Sequence, residues 1–231
     1  MPTRRTLTGL LAAALLGACS PAGRPAPNAP PGRGAGATPP SGRLLRVRGR
    51  TVHAHVEGRG PAVILVHGAS GNLRDFTFSL SGQLARKGYR VIAFDRPGLG
   101  YSGALHGRGE SPAEQAAQLD AAAAQLGVGQ AVIVGHSYGA AVAMAWALTQ
   151  PGRAAGVVTL AGATMPWPGA LKSFYTVASS GLGSALISAF ATQETATRAL
   201  RSIFAPQRPP RGYIDHVGID LALRPAALRA R

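Results

Sequence analysis

The sequence predicts an α/β fold, a mostly parallel sheet flanked by helices, with a helical cap. Three observations lead there. Short unbroken apolar runs recur at Val63–Val66, Val91–Phe94, Ala131–Val134 and Gly156–Leu160, the pattern of strands buried on both faces. Helical patterns lie between them, near residues 73–87, 112–126 and 138–149, and strand alternating with helix marks an α/β sheet. After Ala163 the rhythm changes to helical patterns punctuated by Pro166, Pro168, Pro206, Pro209 and Pro210, with no convincing buried strand. Residues 164–231 are therefore expected to form a cap.

The chain of 231 residues has room for one domain with a sizeable core, and its 46% apolar content is too rich for a disordered protein. The formal charge is +15, and Lys87 and Lys172 are the only lysines among 24 basic residues. These cations are scattered, with no basic run and no recognised nucleic-acid motif, so no nucleic-acid partner is expected. Cys19 is the only cysteine, which excludes an internal disulfide and a cysteine-based metal site.

Residues 1–19 read as an export signal. Arg4 and Arg5 form a basic start, and Leu7 to Gly17 is apolar but short for a membrane span. The stretch ends in Leu16-Gly17-Ala18-Cys19, which resembles the bacterial lipoprotein box. Small residues suit a peptidase beside its cut, and a thiol can accept a lipid. An ordinary signal with an incidental cysteine is the alternative, and Arg4-Arg5-Thr6-Leu7 also resembles a twin-arginine signal. Seven prolines and five glycines fill residues 20–42, the composition of an extended or flexible tether. Ser20, with no aspartate after the cysteine, is by the lipoprotein resemblance a mark of the outer membrane in a cell with two membranes. The expectation is a lipid-anchored protein of the bacterial cell envelope.

The folded domain is expected over residues 43–163. Leu44 to Val56 alternates apolar and polar residues around Gly49-Arg50, a β-hairpin pattern. Ser111-Pro112-Ala113-Glu114 carries a cap, a proline at the first helical position and a glutamate at the third, which starts the helix near residue 112.

Chemistry concentrates at three places. Strand, sharp turn and helix start are written into Ala131-Val132-Ile133-Val134-Gly135-His136-Ser137-Tyr138-Gly139-Ala140. A serine in such a turn stands strained and exposed at a helix N-terminus, where negative charge is favoured. Bulkier residues than Gly135 and Gly139 would collide across the turn. His67-Gly68-Ala69 follows the strand at Val63–Val66, and Asp95-Arg96-Pro97-Gly98-Leu99-Gly100-Tyr101-Ser102 follows the next.

In this order the three pieces resemble the α/β-hydrolase superfamily, closely over residues 43–163 and loosely in the cap. The resemblance implies Ser137 as catalytic nucleophile and the backbone N–H groups of Ala69 and Tyr138 as an oxyanion hole. It implies no metal and no organic cofactor, and a small-molecule ester as substrate. His67 is expected to shape its loop, and Asp95 receives no catalytic role. Relatives with aspartate at the elbow are dehalogenases and epoxide hydrolases, and Ser137 argues against both.

The family's order of serine, acid, histidine breaks here. Six strand candidates stand where eight are usual. Only His216 follows Ser137, with Glu194, Asp215 and Asp220 as the available acids. Asp215 and His216, adjacent on a helix, point about 100° apart, so His216 reads better as a packing residue than as a base. A truncated chain is the expectation, and a non-catalytic relic the alternative. Trp167, Phe174, Tyr175 and Phe204 are candidates for an apolar substrate pocket or for the core of the cap. The functional expectation is a serine hydrolase cleaving carboxylic esters. A cofactor-free haloperoxidase-like or lactonase enzyme and a non-catalytic membrane-tethered binding protein are the alternatives.

Overall fold

The computed structural model describes residues 38–106, 110–165, 192–224 and Ala227. Cys19, Trp167, Phe174 and Tyr175, singled out from the sequence, lie outside these residues. Among the described residues, no helix is long and apolar enough to cross a membrane.

Six strands form one sheet in the order β1-β2-β4-β3-β5-β6. They are β1 (Arg43–Val47), β2 (Arg50–Glu57), β3 (Ala62–Val66), β4 (Arg90–Phe94), β5 (Ala131–His136) and β6 (Ala154–Leu160). β1 and β2 make the expected hairpin, turned at Arg48 and Gly49, whose φ values of 48° and 75° suit a two-residue turn. β2 is antiparallel to β4, and the remaining pairs are parallel. The parallel strands therefore end at one edge of the sheet, where connecting loops collect the chemistry.

Alternation along the strands divides the core between two faces. Ile64, Val66, Ile92, Phe94 and Ile133 pack with Leu119 and Ala123 of α3 (Pro112–Gln125) and Val142 and Trp146 of α4 (Tyr138–Thr149). Val63, Leu65, Val91, Ala93 and Val134 face the other way, onto Leu73 and Phe76. The start of α3 is a capping box, with Ser111 accepting from the Glu114 N–H and Glu114 accepting from the Ser111 N–H.

Four expectations are corrected. The helix near 73–87 is two pieces, α1 (Arg74–Thr77) and α2 (Leu80–Arg86), because Ser79 departs from helical backbone at φ −150°. β6 is not buried on both faces: α4 covers the side of Val157, while Val158 and Leu160 are 43% and 39% exposed at an edge strand that pairs only with β5 among the described residues. Thr38, inside the stretch read as tether, makes defined contacts. Its hydroxyl donates to Asp220 at 2.7 Å, and the Ser41 carbonyl lies 2.7 Å from His53 Nε2. Gly139 avoids a collision with a neighbouring strand rather than across its own turn, as described below.

Helices α5 (Gln193–Ile203), α6 (Tyr213–Val217) and α7 (Ile219–Ala222) make up the described part of the cap. Asn72 donates to the Val217 carbonyl at 2.9 Å, and Arg224 donates to the Gly100 carbonyl at 3.0 Å. These contacts seat the cap on the loops after β3 and β4, at the sheet edge where β5 also ends.

Candidate active site

The run from β5 into α4 turns at Ser137, which has φ 51° and ψ −120°. This left-handed backbone is strained for a serine. Its flanking glycines are obligatory. A Cβ on Gly135 would lie 2.3 Å from the Gly139 carbonyl oxygen and 2.5 Å from the Ala140 Cα. On Gly139 a Cβ would meet the carbonyl oxygens of Val66 at 2.2 Å and His67 at 2.6 Å. Gly139 therefore lets α4 close against the end of β3. The turn is held from the other side by β6: the Ser137 N–H donates to the Leu160 carbonyl, and the Ser137 carbonyl accepts from Ala163. The serine hydroxyl takes no part in capping α4.

The loop after β3 crosses above this turn. A Cβ on Gly68 would lie 3.0 Å from Ser137 Cβ and 3.2 Å from His136 Nδ1. Gly68, the neighbour of Ala69, thus stands against the serine that precedes Tyr138. Among the described residues, neither the Ala69 nor the Tyr138 backbone N–H donates to a protein acceptor. His67 is fully buried, and its Nε2 accepts from the Arg96 N–H at 2.9 Å. The ring proton then sits on Nδ1, which donates to the Gly68 carbonyl at 2.9 Å. Burial, aided by the Arg96 charge, pulls its pKa down to about 3. His67 is a neutral part of the loop with both nitrogens committed, as expected of a residue that shapes it.

Behind the loop lies Arg96, also fully buried. Its Nε donates to the His67 carbonyl, Nη2 to the Gly68 carbonyl and Nη1 to Gln115 Oε1, each at 2.9 Å. Its guanidinium carbon lies 4.7 Å from the centre of the Tyr138 ring. Burial pushes its pKa down to about 10, which leaves it charged at neutral pH. No role for Arg96 was legible in the sequence. The only local signal is a cation in a loop of glycine, proline and leucine.

Asp95 is a structural hub. Its carboxylate accepts from His53 Nδ1 at 2.7 Å, the Leu73 N–H at 2.7 Å and the Tyr101 N–H at 2.8 Å. Burial drives this carboxyl up, but the hydrogen bond and charge of His53, with His67 and the Leu73 N–H, outweigh it and hold the pKa below its ordinary value.

No described histidine or carboxylate hydrogen-bonds to Ser137. His216 lies in α6 with Nε2 3.1 Å from the Thr77 hydroxyl, and its ring meets Phe78 edge-on at 5.4 Å. It packs the cap onto α1, while Asp215 is exposed. Asp220 holds Thr38, and Glu194 pairs with Arg198 on α5. Phe204 packs edge-on against Tyr213 at 5.2 Å. Among the described residues, no group of three or more His, Cys, Asp or Glu side chains is placed to hold a metal ion.

Comparison with known proteins agrees with this arrangement. Epoxide hydrolase B of Mycobacterium tuberculosis (strain ATCC 25618 / H37Rv) is 33% identical over 132 residues, 55% of this chain and 36% of that protein. The 2-hydroxy-6-oxononadienedioate/2-hydroxy-6-oxononatrienedioate hydrolase of Klebsiella pneumoniae is 31% identical over 121 residues, 50% of this chain and 42% of that protein. The chain thus spans less than half the length of these curated relatives. Among solved structures, an esterase from Exiguobacterium antarcticum superposes with a TM-score of 0.66 at 17% identity, covering 82% of this chain and 71% of that one. The epoxide hydrolase CorEH, without ligand, gives a TM-score of 0.70 at 21% identity over 81% of this chain and 69% of that one. These two likenesses show the fold. A family model described as the alpha/beta hydrolase fold matches residues 61–184, more than half of the chain. On that match, with this sheet and this turn, the chain belongs to the alpha/beta hydrolase fold family.

Proposed function

We propose that the chain carries the nucleophile and oxyanion hole of a serine hydrolase acting on carboxylic esters. One observation carries the reading: Ser137 is held in a strained turn, its hydroxyl unused for capping, beneath the Gly68–Ala69 peptide. In the proposed reaction Ser137 Oγ attacks the acyl carbon as its proton passes to a general base. The Ala69 and Tyr138 N–H groups donate to the tetrahedral oxyanion. Collapse expels the alcohol, and water then hydrolyses the acyl-serine. The base is proposed to be a histidine other than the six of this sequence, in polypeptide beyond this chain. A strand followed by an acid, then a later strand and a histidine, encoded past codon 231 in any frame would support this. Open sequence without them would overturn it.

The chemistry of the nucleophile argues against carrying over epoxide opening from the relatives so named. A serine that opened an epoxide would form an ether, which has no carbonyl for water to attack. A serine acylated by an ester forms another ester, which water can cleave. A second reading is favoured by the Klebsiella relative, whose named substrate carries a 6-oxo carbonyl open to the same attack. A panel of p-nitrophenyl esters, lactones, a 6-oxo-dienoate and an epoxide separates these. For the protein that includes the proposed histidine, we expect turnover of esters that is lost in Ser137→Ala. Turnover of the epoxide alone would overturn the reading, and turnover of the dienoate alone would select the second.

We propose further that the described cap lines an apolar acyl pocket, and that lipid on Cys19 tethers the protein in the cell envelope. Incorporation of a fatty-acid analogue, abolished by Cys19→Ala, is expected. An unlabelled wild type would overturn the anchor.

A further inference from the structure

We propose that Arg96 is the positioning residue of the oxyanion hole, its one buried guanidinium fixing both donor peptides and setting positive charge behind them. The inference rests on Ser137 acting as a nucleophile. It starts from the Gly68 carbonyl, which accepts from both Arg96 Nη2 and His67 Nδ1 at 2.9 Å. A trans peptide holds its C=O and N–H on opposite sides. Clamping the Gly68 oxygen from behind therefore turns the Ala69 N–H away from the clamp. Gly68 itself stands against Ser137 Cβ on the front of the loop.

The other donor is fixed by the same group. Tyr138 stacks its ring on the Arg96 guanidinium at 4.7 Å, a cation–π contact that holds the first residue of α4. Arg96 Nε also binds the His67 carbonyl, the oxygen against which Gly139 closes. Loop and helix start are thus registered to one another through a single side chain.

Charge is the second part. Among the described residues, no carboxylate lies within ion-pair distance of Arg96. The neighbouring Asp95 is taken up by His53, and Glu110 binds the Leu105 N–H at 2.6 Å. The Gln115 amide meets the guanidinium as a neutral partner. The Glu110 charge acts on the guanidinium without pairing with it, and the remaining positive field favours an anion forming at the hole.

The test compares the protein that carries this chain and the proposed histidine with its Arg96→Lys, Arg96→Gln and Gln115→Glu variants. The measurements are the second-order rate of fluorophosphonate attachment to Ser137, kcat and KM for a p-nitrophenyl ester, and thermal melting. Arg96→Gln is expected to lose about a hundredfold in labelling rate and in kcat with KM near wild type, and Arg96→Lys about tenfold. Gln115→Glu keeps the acceptor for Nη1 and sets a carboxylate against the guanidinium, while losing the Nε2 donor to the Glu110 carbonyl; it should slow labelling about three- to tenfold, with a lowered melting temperature read separately. A purely structural Arg96 would change melting and leave the Gln115→Glu rate untouched. Wild-type labelling with folded Arg96→Gln and Gln115→Glu both within about twofold of it would overturn this role alone. An unlabelled wild type would instead overturn the serine reading and this role with it. Should neither Arg96 variant fold, the Gln115→Glu rate decides.

Discussion

His53 Nδ1 lies 2.7 Å from Asp95 Oδ2, with both side chains 1% exposed, and this contact ties β2 to the loop that follows β4. The other ring nitrogen faces the Ser41 carbonyl at 2.7 Å, so both nitrogens meet acceptors. The same carboxylate also receives the Leu73 and Tyr101 N–H groups. It therefore gathers β2 and the loops after β3 and β4 at the sheet edge where Ser137 stands.

Asp95→Asn removes the charge and puts an amide donor where two N–H groups and an imidazole need acceptors. A loss of about 3–5 kcal/mol is expected, the range for breaking a buried charge pair, measured by urea or thermal melting. The pH dependence has a fixed sign. Asp95 has its folded pKa held below the unfolded value, so its stabilisation is present above the unfolded value and is lost as pH falls through the folded one. Acid melts of wild type should weaken below about pH 4, and those of Asp95→Asn should be flatter there.

Asp75 predicts the opposite slope. Burial, only partly offset by the Tyr213 hydroxyl at 3.2 Å, raises its pKa to about 6. Its favourable share is fully present below the unfolded pKa and lost as pH rises through about 6. Asp75→Asn should therefore raise the melting temperature at pH 8 and leave it unchanged at pH 4. The side chain keeps some exposure, so a gain of about 1–2 kcal/mol is expected at the higher pH.

Much of this fold could be read from sequence where the signal was local. The apolar runs gave β3, β4 and β5 within a residue or two, because strands buried on both faces need no more than a continuous apolar stretch. The Ser111–Glu114 box marked the start of α3 for the same reason. The serine turn was legible because its two glycines bracket it. The reason for Gly139 was not, since the carbonyl it avoids belongs to Val66 on another strand. His53 and Asp95 are 42 residues apart, and no periodicity joins them. The Arg96 clamp depends on how three segments meet. Thr38 looked like tether because composition sees prolines and not the Asp220 carboxylate across the molecule.

Gly135→Ala and Gly139→Ala are each expected to destabilise the protein by about 2–4 kcal/mol or to prevent folding. The obstructing atoms are backbone, at 2.3 Å and 2.2 Å from the new Cβ, and cannot rotate away. Gly129→Ala, where nothing lies within 4 Å of the added carbon, is the matched control and should melt like wild type.

Ser137→Gly should stabilise. Glycine accepts the φ of 51° that strains a serine, and a gain of about 1 kcal/mol is expected in thermal melting, together with loss of any hydrolytic activity. A fall in stability would mean the serine side chain contributes packing that outweighs its strain.

The central claim is that Ser137 is a nucleophile beside an oxyanion hole. The most direct measurement is mass spectrometry, after exposure to a fluorophosphonate, of the protein that carries this chain together with the proposed histidine. The account predicts a single phosphonyl adduct on the peptide carrying Ser137, absent from Ser137→Ala. A cooperatively folded wild type with no adduct, or with its adduct on a different serine, would contradict it.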